Sequence, residues 1–149
     1  MRREVTVTLE EEGVRLTFRI RQMPATRLES WLLRAAQTLG AALDLPEGAG
    51  LESLGPALEK NGWRALTGVD FAAAKELMDE MLGTASRVLD GAEYPCTPDT
   101  VDGYIGDVRT LMRLRAECFK ANLGFFGQDD RVPGAGEGAS RGIVRTFPR

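Results

Sequence analysis

The sequence predicts an α+β protein: an N-terminal β-hairpin packed on a bundle of three to four α-helices, with a flexible C-terminal tail. Three observations carry this. Apolar and polar residues alternate through "EVTVTLEEEGVRLTFRI", residues 4–20, as in half-buried strands. Apolar residues then recur at helical intervals in the later stretches. After Phe126 the chain is dominated by Gly, Pro and charge, with no periodic apolar face. The boundaries are one domain over residues 1–126 and a tail over residues 127–149.

In the hairpin, Val5, Val7 and Leu9 alternate with Thr6 and Thr8, and Val14, Leu16, Phe18 and Ile20 alternate with Arg15, Thr17 and Arg19. A four-residue connection, Glu10 to Gly13, pairs Leu9 with Val14, Val7 with Leu16 and Val5 with Phe18, and sets Glu4 opposite Arg19. Gly13 supplies the positive φ such loops need. A lone hairpin is marginal in water, so its apolar face must lie on helices or on another subunit.

Pro24 ends the second strand, and Thr26 and Glu29 have capping-box spacing. Leu28, Trp31, Leu32, Ala35, Ala36, Leu39 and Leu43 form the stripe of the first helix, leaving Arg27, Arg34 and Gln37 outside. "LPEGAG" (45–50) is a linker. Leu51, Leu54 and Leu58 suggest a short helix stopped at Asn61-Gly62, and Trp63 and Leu66 anchor this segment to the core. Asp70 is an N-cap for a helix whose stripe is Phe71, Ala74, Leu77, Met78, Met81, Leu82, Ala85, Val88 and Leu89, ended by Gly91. "YPCTPD" reads as a loop. A last helix starts near Asp99 or Thr100, carries Val101, Tyr104, Ile105, Val108, Leu111, Met112 and Phe119 in phase, and closes near Asn122 to Gly124. Beyond it, Ile143, Val144 and Phe147 are a short apolar patch within the tail.

At 149 residues with 43% hydrophobic and 28% charged residues, the chain can bury a core of its own. A net charge of −3 gives no bulk attraction to nucleic acid or anionic membrane. With no histidine, Ser-His-Asp and Cys-His arrangements and His-ligated metal sites are removed. Cys96 and Cys118 lie in no C-x-x-C and read as reduced thiols. There is no secretory h-region and no 18-residue apolar run, so the reading is a cytoplasmic protein with no membrane partner. No nucleotide-binding glycine loop occurs; "GAGEG" in the tail lacks the flanking strand and helix.

The remaining candidates have bland readings beside sharp ones. Glu10-Glu11-Glu12 at the hairpin tip and Glu76, Asp79 and Glu80 on a helix read as solvated carboxylates rather than cation sites or a catalytic pair. Arg15, Arg19 and Arg21 form a basic strip on the hairpin's polar face, without interleaved aromatics for stacking bases, so it reads first as edge protection. Arg109, Arg113, Arg115 and Lys120 read mostly as the outer face of the last helix. Phe125 and Phe126, just past its end, are core or an exposed docking patch.

"FRIRQMPATRLESWLLRAA" and "DVRTLMRLRAECFKANLGFF" together resemble the two best-marked segments of tail assembly chaperones of long-tailed bacteriophages and prophages. In that family a strand ending in an aromatic-basic run leads through "MPA" to a helix carrying Trp and Arg, and the C-terminal helix ends in a Phe-Phe pair. The likeness spans residues 14–126; it departs at Asn122, where many relatives carry His, and has no counterpart to the tail. The resemblance implies a non-enzymatic factor, without cofactor, in the cytoplasm of the infected or lysogenic bacterial host. It implies binding to the tape measure protein, keeping it soluble while the tail tube protein polymerises around it, and a homo-oligomeric state. The alternative is a structural minor tail or tail-completion protein retained in the virion. A surface that adapts to many helix registers suits Met78 and Met81, together with Phe125, Phe126, Ile143, Val144 and Phe147, as partner-binding residues.

Overall fold

A computed structural model describes residues 3–39 and 69–124 of the chain. The linker, short helix and Trp63–Leu66 anchor expected within residues 40–68, and the tail with Phe125 and Phe126, lie outside the described residues. The elements run β1 (Glu4–Glu11), β2 (Val14–Arg21), α1 (Ala25–Leu39), α2 (Phe71–Leu82), β3 (Ala85–Leu89), β4 (Ala92–Pro95), a 3-10 turn (Val101–Gly103) and α3 (Val108–Leu123). The architecture is α+β. The strands form one antiparallel sheet in the order β1-β2-β3-β4. α3 lies across β1 and β2, and α2 packs against both α1 and α3.

The hairpin forms where expected, in a register two residues away. Glu12 (φ 50°) and Gly13 (φ 81°) make a two-residue turn, so Val7 faces Phe18, Leu9 faces Leu16 and Glu4 faces Arg21. Two residues of positive φ match the right-handed twist of the strands, which a four-residue loop need not. Because the shift is even, every apolar residue keeps its face. Val5, Val7, Leu9, Leu16, Phe18 and Ile20 are all buried.

α1 starts two residues earlier than a capping box at Thr26 requires. Thr26 is the second helical residue, and the carbonyl of Pro24 accepts from Leu28 N at 2.9 Å. Asp70 caps α2 as expected, its carboxylate accepting from Ala73 N at 2.9 Å.

The largest departure is at residues 83–95, expected as helix and loop. α2 ends at Leu82, and Gly83 and Thr84 turn the chain into β3. Ala85, Val88 and Leu89 satisfy a helical stripe in sequence, but β2 has an open edge there, and Ile20 pairs with Ala85 and Phe18 with Arg87. Tertiary pairing overrides the local period. Asp90 (φ 50°) and Gly91 (φ 80°) repeat the hairpin turn of Glu12 and Gly13, so Gly91 joins two strands instead of ending a helix. Tyr94 and Pro95, expected in a loop, belong to β4. The last helix is also interrupted: Val101–Gly103 is a 3-10 turn, and α3 restarts after Asp107, whose carboxylate accepts from Arg109 N at 3.1 Å.

The core lies between the sheet and the helices. Trp31 is 1% exposed, as its place in the α1 stripe requires. Its indole N–H donates to the Leu77 carbonyl of α2 at 3.0 Å, and Phe119 of α3 meets it edge to face at 6.0 Å. Its hydrogen bond and its ring contact are thus both made within the helical layer. Trp31→Ala should cost about 3–5 kcal/mol, as large core truncations do. Arg34, paired with Glu80 and Glu76 at the α1–α2 margin, should lose only about 0–1 kcal/mol on Arg34→Ala. Urea unfolding of the two variants checks the helix phase, which is wrong if Arg34 is the more sensitive site.

Candidate interaction surfaces

The sequence-derived binding residues do not form one surface in the described residues. Met81 is 1% exposed and packs in the core, which corrects its expected place on an accessible face: it shares the inward side of α2 with Ala74, Leu77 and Leu82. Met78 is half-buried on the flank toward α3, and its carbonyl accepts from Arg115 Nη1 at 2.9 Å. Phe125, Phe126, Ile143, Val144 and Phe147 lie outside the described residues. The most exposed large apolar side chain on α2 is Phe71, at 77%. It sits at the helix start and opens a hollow lined also by Ala72, Lys75, Glu76, Asp79 and Glu80. Val108 at the start of α3, Leu33 on α1 and Val14 at the hairpin tip are exposed apolar residues elsewhere.

The acidic residues of α2, expected on a solvated face, stitch the helices together. Glu80 pairs with Arg27 and Arg34 of α1. Asp79 accepts from Lys75 within α2 and from Arg115 Nη2 of α3 at 3.0 Å. Burial works to raise the Asp79 carboxyl, but the hydrogen bonds from Lys75 and Arg115 outweigh it and hold the group below its ordinary value of 3.8. Arg115, read as outer face, is largely buried in this bridge, its side chain 16% exposed. Glu11 is likewise more than a solvated turn. Its two carboxylate oxygens accept from Gly106 N at 2.9 Å and Asp107 N at 3.1 Å, latching the hairpin tip to the segment that starts α3. The Gly106 bond is the main reason the Glu11 carboxyl titrates below its usual value.

Two members of the basic strip on the outer sheet face, Arg19 and Arg21, are neutralised where they stand. Arg21 bonds Glu93 and Glu4, each at 2.7 Å, and Arg19 reaches Glu93 at 2.9 Å and Glu4 at 3.4 Å. The hydrogen bond from Arg21 foremost keeps Glu93 below the ordinary carboxylate value. Two guanidinium groups against two carboxylates leave little net field there for a polyanion.

Two polar residues on the inner side were given no structural role from sequence. Asn122 is 0% exposed. Its Oδ1 accepts from Met23 N at 2.8 Å, and its Nδ2 donates to Cys118 O at 2.9 Å and Thr84 Oγ1 at 3.2 Å. Arg87, 8% exposed, lies over the Phe18 ring at 5.6 Å and donates from Nη1 to the carbonyls of Thr17 and Val88, where the pairing of β2 with β3 ends. Reading Asp90-Gly91 as a hairpin turn would have placed Arg87 on a strand; the helix-end position of Asn122 was legible, but its partners at Met23 and Thr84 are not encoded locally.

Among the described residues no group of three or more His, Cys, Asp or Glu side chains could hold a metal ion. No helix among them is long and apolar enough to cross a membrane. No protein-family model matches the chain, and neither a curated protein nor a solved structure matches it.

Both thiols are free and buried. Burial pushes Cys96 up to about 11 and Cys118 up to about 12, so little thiolate forms near neutrality. Native protein at pH 8 should resist iodoacetamide, and both cysteines should react on addition of denaturant; mass spectrometry of the labelled chain reads this out. Prompt labelling of Cys118 in the native state would contradict its placement in the core.

Proposed function

We propose that this chain is a non-enzymatic tail assembly chaperone of a long-tailed bacteriophage or prophage. It acts in the cytoplasm of the infected or lysogenic host, binding the tape measure protein and keeping it soluble while tail tube subunits polymerise around it. The observation that carries this reading is the resemblance of two segments far apart in sequence, supported by their meeting in the fold. Trp31 of the first segment meets Phe119 of the second edge to face at 6.0 Å. A long, apolar, largely helical client aggregates through its exposed stripes, and an assembly factor must cover them with apolar surface rimmed by charge.

Phe71, Met78 and the charged margin of α2 have that composition. Phe125, Phe126, Ile143, Val144 and Phe147, outside the described residues, are the sequence-derived candidates for the same role. Met81 has no part in it.

Co-expression with the tape measure protein encoded nearby should raise that protein's soluble yield, and the two should co-purify. Phe71→Ser should reduce co-purification while leaving the unfolding midpoint nearly unchanged, since the side chain is exposed. Failure of the unaltered chain to solubilise or bind the tape measure protein would end the chaperone reading. Stoichiometric presence of the chain in purified virions, seen by mass spectrometry, would favour a structural tail protein instead.

A further inference from the structure

Arg87 of β3 is 8% exposed, yet no carboxylate among the described residues pairs with it. Buried charges are ordinarily paired, because taking an ion out of water is costly. Main chain and an aromatic ring hold this one instead. Nη1 donates to Thr17 O at 3.0 Å and to Val88 O at 2.8 Å, which uses both of its hydrogens, and the guanidinium lies 5.6 Å from the centroid of the Phe18 ring. Nε–H and the Nη2 hydrogens have no partner among the described residues, and neither nitrogen is sealed from solvent. The two nitrogens share one edge of the guanidinium and present parallel N–H bonds, the fork that takes both oxygens of a carboxylate side-on. Tyr94, opposite Arg87 on β4, and Leu89, two residues along β3, share its sheet face and are 44% and 41% exposed.

We propose that Arg87 receives the side-chain carboxylate of a peptide from another protein, held side-on by Nε–H and Nη2–H, with the apolar neighbours of that carboxylate resting on Leu89 and Tyr94. The surroundings select this chemistry. A single guanidinium supplies one positive charge and a planar pair of donors, which a carboxylate matches in both charge and shape. A phosphate calls for further cations, and Arg19 and Arg21 of β2 are on the opposite sheet face, committed to Glu4 and Glu93. The exposed Leu89 and Tyr94 favour a carboxylate set among apolar groups over a small free acid. Binding is also prepared in advance: Nη1 is tethered at two points and the guanidinium rests on Phe18, so little freedom remains to be lost when the ligand arrives. The site shares no residue with the hollow at Phe71 and stands independently of the chaperone reading.

Nuclear magnetic resonance of the full isotope-labelled chain tests it, because the Nε–H of Arg87 gives a signal of its own. Titration with acetyl-Leu-Glu-Leu-amide should shift that signal saturably, with a dissociation constant of about 1–10 mM. The same peptide with Gln in place of Glu should bind at least about tenfold more weakly, since it lacks the charge-assisted pair. This comparison uses the unaltered chain, so it decides the matter even if a variant at Arg87 fails to fold. Arg87→Lys keeps the charge and loses the fork, and it should weaken binding of the Glu peptide by about tenfold, followed through the backbone amides of Leu89 and Tyr94. Acetate and inorganic phosphate should each bind more weakly than the Glu peptide. Absence of a shift, equal binding of the Glu and Gln peptides, unchanged affinity in Arg87→Lys, or acetate or phosphate binding as tightly as the Glu peptide overturns the proposal.

Discussion

The carboxamide of Asn122 is the point at which the separate parts of this fold are held to one another. It lies with no solvent exposure near the end of α3 and uses both its donor and its acceptor capacity. One bond goes to the backbone where β2 becomes α1, another to the threonine between α2 and β3, and a third back to its own helix. Each of these joints exposes backbone groups that neither strand nor helix satisfies, and a buried one left unpaired costs about 1–3 kcal/mol. Gln22 adds to the same junction by donating to the Asn122 carbonyl at 3.3 Å. At the joint of β2 and α1 the Asn122 side chain satisfies the Met23 N–H, which neither strand nor helix pairs, and it ties that joint to the threonine between α2 and β3. Met23, where the strand that Pro24 ends passes into α1, offers the N–H that α3 captures.

Charge does comparable work around the outside. Arg27, Arg34 and Arg115 tie α2 to its two neighbouring helices, and Arg19 and Arg21 with Glu4 and Glu93 cross-brace three strands of the sheet. Exposed pairs of this kind are individually worth roughly 0–1 kcal/mol, so their value lies in register and helix placement more than in bulk stability. They also neutralise Arg19 and Arg21 on the outer sheet face. Among the described residues, the apolar side chains of Phe71, Val108 and Val14, at or near element ends, stay exposed.

Much of this was legible in the residues. The hairpin, α1, the Asp70 cap of α2 and the end of α3 follow from alternation, helical spacing and capping chemistry. The register of the hairpin did not, because a four-residue and a two-residue turn place the same residues on the same face. β3 was hidden for a related reason: Ala85, Val88 and Leu89 fit a helix extended from Leu82, and only the free edge of β2 decides against it. Asp90-Gly91 was the local signal that could have corrected this. The candidate surface was legible in part. Phe71 and Met81 sit on one predicted stripe, but a stripe is wider at its ends than the core that covers it, so Phe71 is exposed while Met81 is enclosed. The interhelical ion pairs and the role of Asn122 depend on distances between segments that no local pattern encodes.

The most direct test of this account is the equilibrium urea unfolding of Asn122→Ala, followed through the fluorescence of Trp31 and Trp63. The account predicts a single cooperative transition, with stability reduced by about 1–3 kcal/mol because the Met23 N–H is left buried and unpaired. A loss within about 0.5 kcal/mol, the range of ordinary surface substitutions, would contradict it.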